Sequence, residues 1–252
     1  MYKLGKRQAV VDTRIPTFSA HLTILPRPPM QSNWGAAVGS WGMLKNDLVG
    51  DCVIAAIGHA VQQFTTYAGN PLEMSDAEAL TTYSDITGFD PTKPETDNGT
   101  VVLGRHGALN HWFNNGISVG GKLNKPKAFL TLRTTKPSEW RSAISIFGGI
   151  LVGLQFPENL FSQKEIPFFW SDHSGVSAGG HEVWINSYLY ATDTYVYDLV
   201  SWGRTYRVTE EFLLKTADEM VVVYDPASLT ARGVDAAGLD EATLLNNMQA
   251  LS

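Results

Sequence analysis

Helix signals fill the first half of this chain and strand signals the second, and that order constrains the fold more than any other feature. Helices first and an antiparallel sheet later define an α+β arrangement, in which early helices cover one face of a late sheet. The first helix is predicted from Cys52 to about Ala68, with Gly69-Asn70 as its stop. Ser75-Asp76-Ala77-Glu78 is a capping box that starts a second helix, ending near Thr87-Gly88. A third covers about Arg105 to Asn114, and a fourth Ser138 to Phe147. Strands are predicted at about 128–133, 150–156, 182–190, 194–201, 204–208 and 220–224, with a short helix from Thr209 to about Lys215. Residues 157–180 read as a long loop with one helical turn at its start.

Pro16, Pro26, Pro28 and Pro29 break regular structure before residue 40. Residues 1–40 are therefore expected to form an arm over the domain, anchored by Trp34 and Trp41. Residues 41–226 form the domain itself, and 227–252 a tail with a short helix from about Asp240.

Cys52 is the only cysteine, which excludes an intrachain disulfide and any cysteine-rich zinc site. It follows Gly50-Asp51, a loop-to-helix junction, and precedes the apolar run Val53-Ile54-Ala55-Ala56-Ile57. In the first turn of a helix the dipole favours thiolate over thiol, and thiolate is the nucleophile. A lone cysteine among Val, Ile and Ala is also what a small core residue looks like. What separates the two readings is a histidine in reach. His181 has the best context, after Gly179-Gly180 and at the predicted start of a strand, exposed at the sheet end. His59 lies about 10.5 Å of helix rise beyond Cys52, too far for a hydrogen bond, and is read as structural. His106 and His111 are poorly spaced for a shared metal, and no cluster has convincing metal-ligand spacing.

The strand from Thr194 to Ser201 carries one charge, Asp198. If it pairs antiparallel with the His181 strand through a turn near Ala191 to Asp193, Asp198 is expected to return close to His181 and orient its ring. A solvent-facing Asp on an edge strand is the alternative. The formal charge of −6 with mixed signs argues against a nucleic-acid partner. No segment has the roughly 20 apolar residues needed to span a bilayer. Met1 to Arg14 has no apolar core of a signal peptide. No cofactor or metal is expected. A cytoplasmic or virion-associated location is compatible with these features.

A cysteine near a helix start, a histidine after Gly-Gly late in the chain, and a strand ending Ser201-Trp202-Gly203 together resemble papain-like cysteine peptidases. Most of Trp41 to Asp225 also resembles papain-fold proteins of phage and bacterial genomes. The runs that carry this likeness are Trp41–Asp47, Gly50-Asp51-Cys52, Thr96–Gly99, Leu109–Trp112, Phe147–Gly149 and Val200–Gly203. The stretch from Tyr197 to Phe212 resembles the end of bacteriocin-leader peptidases, whose triad is Cys-His-Asp. The resemblance implies Cys52 as nucleophile, His181 as base, Asn46 at the oxyanion-hole position usually held by Gln, and Trp202 packed over the active site. The residue before Ser-Trp-Gly is Asn in papain and Val200 here, so the third member is Asp198 or is absent. The resemblance thus implies a cysteine peptidase or amidase acting on peptides or proteins. Its alternative is a catalytically inactive papain-fold module that binds other proteins, such as those of a virion.

Overall fold

The structure, a computed structural model, describes residues 2–22, 27–233, 239–249 and 251. In chain order its elements are α1 (Phe18–His21), β1 (Gln31–Asn33), α2 (Cys52–Tyr67), α3 (Asp76–Thr87), α4 (Ala108–Asn114), β2 (Ile117–Val119) and β3 (Lys122–Asn124). Then come β4 (Ala128–Thr131), α5 (Pro137–Phe147), β5 (Ile150–Pro157), α6 (Glu158–Phe161), β6 (Phe169–Trp170), β7 (Ser177–Ala191) and β8 (Thr194–Ser201). β9 (Arg204–Thr209), α7 (Glu210–Thr216), β10 (Ala217–Tyr224), α8 (Pro226–Ala231) and α9 (Glu241–Gln249) complete the described chain. This is the α+β order the sequence predicts: helices α2 to α4 precede every strand of the main sheet except the short β1.

That sheet runs β4-β10-β5-β7-β8-β9-β6, with β1 also on β7. Its pairs are antiparallel except β6 with β9. Two features of β7 position the site. First, Thr192 and Asp193, with φ of 51° and 65°, make the two-residue hairpin turn to β8. Second, β7 carries one extra residue at Asn186: Ser187 faces Asp198, yet Ile185 faces Leu199.

α2 is buried from Cys52 to Phe64 and crosses the sheet against β7. Its apolar residues explain the burial, but the docking is fixed by a polar group. Gln63, fully buried, accepts from Trp184 Nε1 at 2.9 Å and from Asn186 Nδ2 at 3.0 Å, and donates to the Gly148 carbonyl at 2.8 Å. One side chain thus ties the Cys52 helix to the His181 strand and to the turn after α5. The start of α2 is held separately. The Gly50 N–H donates to Asp97 at 3.1 Å, and Tyr83 of α3 donates to the same carboxylate at 2.7 Å. The capping box at Ser75 forms as read. Asp51 sits at the N-cap of α2, but its side chain makes no cap hydrogen bond.

Gln63→Met keeps the volume and strands three buried polar groups, each worth about 1–3 kcal/mol when unpaired. The expected loss is about 3 kcal/mol or more, read as a lower urea midpoint at unchanged slope. A midpoint within error of the parent would remove Gln63 from this role.

Candidate active site

Cys52 opens α2 and is 1% exposed. Backbone N–H groups from two directions, Glu182 of β7 and Gly5, lie near its sulfur and favour its charged form. The nucleophile candidate therefore sits beside the residue next to His181 and beneath the segment Tyr2–Arg7.

His181 is the fifth residue of β7, because the strand starts at Ser177. It is fully buried, not exposed at a sheet end as the sequence implied. Its Nε2 lies 2.6 Å from Ser201 Oγ. Trp202 stacks on the imidazole with centroids 4.1 Å apart and planes 12° apart, and Phe156 meets it edge-on. Nδ1 has no hydrogen-bond partner among the described residues.

Asp198 does not return to His181. With Ala191 facing Thr194, the hairpin sets Asp198 opposite Ser187, six residues along β7 from His181. That is about 20 Å at the usual strand rise. Its carboxylate instead accepts from Arg207 Nε at 2.7 Å and from Ser187 Oγ at 3.2 Å. The partner a carboxylate on this strand needs is Arg207, directly across on β9. The group beside the His181 ring is Ser201, which the sequence reading passed over although it lies inside the Ser-Trp-Gly run. Val200 faces Trp184.

Asn46 is buried in the loop before α2, where Leu44 and Lys45 take left-handed backbone. Its Nδ2 donates to the Val49 carbonyl at 3.3 Å, and its own carbonyl accepts from Lys3 N–H. His59 is bonded to the Gly42 carbonyl at 2.9 Å and lies edge-on to Trp41. Burial holds its pKa down to about 4. Among the described residues, no group of three or more His, Cys, Asp or Glu is placed to hold a metal ion. No helix there is long and apolar enough to cross a membrane.

The segment Tyr2–Arg7 had no signal in the sequence beyond early basic residues, yet it lines the whole site. Tyr2 stacks on Trp202 at 4.8 Å, and Trp202 Nε1 donates to the Lys3 carbonyl. Lys6 N–H donates to the Gly180 carbonyl at 3.0 Å, immediately before His181. On the other side Thr100 N–H donates to the Gly5 carbonyl, and Arg7 N–H to the Thr100 carbonyl. The segment links β7 and the 98–100 loop through isolated bridges at Lys6. Gly5 is required at its centre: a Cβ there would lie 1.8 Å from the Gly50 carbonyl oxygen. Beyond Tyr2 a groove of about 680 Å³ opens between Met43, Asp47, Leu48, Ile166 and Arg204.

Burial dominates the electrostatics. It pushes the Cys52 thiol up to about 12, with the Glu182 and Asp51 carboxylates adding to the shift and the two N–H groups opposing it. Burial alone pulls His181 down to about 3. A lowered thiol pKa, which the helix start implied, is therefore not what this covered site has. Thiol and imidazole are both neutral across the physiological range.

No family model matches the chain, and no curated protein sequence matches it. Solved structures do. Xylellain, a cysteine protease from Xylella fastidiosa, aligns with TM-score 0.68 and 12% identity over 88% of this chain and 96% of that one. Procathepsin B S9 from Trypanosoma congolense aligns with TM-score 0.59 and 10% identity, covering 88% and 86%. Digestive procathepsin L 3 from Tenebrio molitor larval midgut gives 0.58 and 11%, covering 84% and 76%. The fold is that of papain-like cysteine proteases.

With the thiol pKa pushed up to about 12, Cys52 thiolate is a minute fraction even at pH 9 and falls further as pH drops. Iodoacetamide should therefore alkylate the parent protein slowly from pH 6 to 9. Gly5→Val cannot keep the segment seated and should raise that rate at least about tenfold, towards that of a helix-start thiolate. Equal rates in the two proteins would mean that the segment does not shield Cys52.

Proposed function

We propose that this protein is a cysteine peptidase or amidase whose cleft is closed by its own Tyr2–Arg7 segment. The observation that carries this reading is the setting of His181: one ring nitrogen tethered to Ser201, a stacked indole, and the other nitrogen without a partner among the described residues, on the strand that packs against α2.

When the segment lifts, water and the helix dipole lower the cost of charge separation, and Cys52 can pass its proton to His181. Nε2–H donated to Ser201 Oγ leaves the Nδ1 lone pair for that proton. The thiolate adds to the carbonyl carbon of an amide, and the oxyanion is met by the Cys52 N–H and by Asn46 once its amide turns from Val49. Imidazolium then protonates the leaving amine as the C–N bond breaks, giving a thioester. Water, deprotonated by the same ring, hydrolyses the thioester and restores the thiol. The groove lined by Met43, Leu48 and Arg204 extends the cleft for a peptide on one side of the nucleophile.

The test uses full-length Gly5→Val with quenched peptides near pH 7. Turnover is expected well above the parent's, lost in the added Cys52→Ala, and reduced on the order of 10³-fold by His181→Ala. Ser201→Ala should lower kcat roughly 10-fold, as a lost ring-orienting hydrogen bond would. Asp198→Asn should change it less than about twofold, since it touches only Arg207 and Ser187. If Cys52 in Gly5→Val alkylates rapidly but no peptide, amide or ester is turned over, the protein is a non-catalytic binding module on this scaffold.

A further inference from the structure

Lys6 is the residue after the glycine that covers Cys52, and its side chain is fully buried. The ammonium lies 2.8 Å from Asp218 Oδ1 and 2.9 Å from Glu219 Oε1, and donates to Asp218 Oδ2 at 3.0 Å. Glu182, beside His181 on β7, faces the same place, where burial and the nearby Glu219 push its own pKa well above the usual carboxylate range. Burial would lower the Lys6 pKa, but these carboxylates outweigh it and hold the group charged.

Three features mark this as a built pocket. Glu182 is 2% exposed, and neither of its carboxylate oxygens has a hydrogen-bond partner among the described residues. Gly153 of β5 leaves the room that Lys6 occupies, since a Cβ there would lie 2.0 Å from Lys6 Cε. Gln155 holds Asp218 in place, donating to it at 2.6 Å. Asp218 and Glu219 also line a groove of about 520 Å³ together with residues 9–13. Three carboxylates around one ammonium leave acceptors unmet, and an unmet buried carboxylate is costly. A guanidinium offers five donors in a planar fork where an ammonium offers three.

We propose that the Asp218, Glu219 and Glu182 pocket is a specificity subsite for a cationic side chain of the substrate, arginine above lysine, and that Lys6 is its intramolecular stand-in. The assignment rests on the peptidase reading only for the word substrate; the cation-binding pocket stands or falls separately. The segment then uses two anchors that a substrate must displace together: a glycine at the nucleophile and a cation one residue on.

The pocket is tested without catalysis. Full-length Lys6→Ala empties it and should melt roughly 10 °C lower, as expected when a buried charge pair is broken. Millimolar n-propylguanidinium should recover much of that loss, n-butylammonium less, and 1-butanol none, with no rise in the parent protein. Adding Glu219→Gln should abolish the recovery. No recovery, or the same shift in the parent, overturns the proposal. Should Lys6→Ala not fold, Lys6→Arg decides: it should melt at or above the parent, and a fall of more than about 5 °C overturns the fit to arginine.

Peptide cleavage by Gly5→Val supplies the second arm. Peptides that present arginine to the pocket should exceed their glutamine counterparts at least about tenfold in kcat/KM, a preference lost with Glu219→Gln. Cleavage without that preference overturns the subsite and leaves the peptidase standing. Cation rescue with no cleavage of any peptide keeps the cation pocket and removes the peptidase.

Discussion

Gln63 is the contact on which the site depends. An amide has donors at one end and an acceptor at the other, and here each is matched inside the protein. Hydrophobic burial alone would let a helix as apolar as α2 slide or roll on its sheet at little cost. A buried amide with three directional bonds does not tolerate such motion, since each bond lost leaves a desolvated group. Its partners are Trp184 and Asn186 of the strand that carries His181, and the turn that ends α5. The separation between the cysteine and the histidine is thus set by an interaction about three turns down the helix from the chemistry.

The other side of that site is made by the first residues of the chain. Seated across Cys52, they replace water with peptide. The dielectric falls, and a separated thiolate and imidazolium become unaffordable. The segment therefore needs no steric clash with the nucleophile to silence it. Hydrogen bonds to Gly180 and Thr100, the stacked Tyr2 and the buried Lys6 ammonium hold it there. Most of these can be exchanged for equivalent bonds to another extended chain.

The element order, the capping box at Ser75, the Cys52 helix and most of the sheet could be read from periodicity and cap chemistry. So could the structural role of His59. The long loop predicted before 180 is shorter in the structure, because β7 starts at Ser177 and so draws His181 inside the sheet. Gly179 and Gly180 made that strand start illegible. Asp198 was misplaced for a reason of counting: the turn at Thr192-Asp193 pairs residue 198 with 187, and a lone carboxylate on a strand looked for histidine when arginine lay opposite. The Tyr2–Arg7 segment was illegible on other grounds. Its contacts are backbone bonds to distant loops, and nothing local in Leu4-Gly5-Lys6 encodes them.

The extra residue at Asn186 has a consequence for chemistry. Side chains alternate along β7, so His181, Val183 and Ile185 share one face. Counted back from the turn without a bulge, Val200 would fall opposite Ile185 and present its methyl groups to that face. The bulge shifts the ladder by one, Ser201 falls in line with Val183, and the hydroxyl comes to the ring. Since Asn186 is gripped by Gln63, one hydrogen bond in the core selects which neighbour the imidazole has. Lineages sharing this hairpin could trade one ring partner for another by gaining or losing a single strand residue, with no substitution at the site itself.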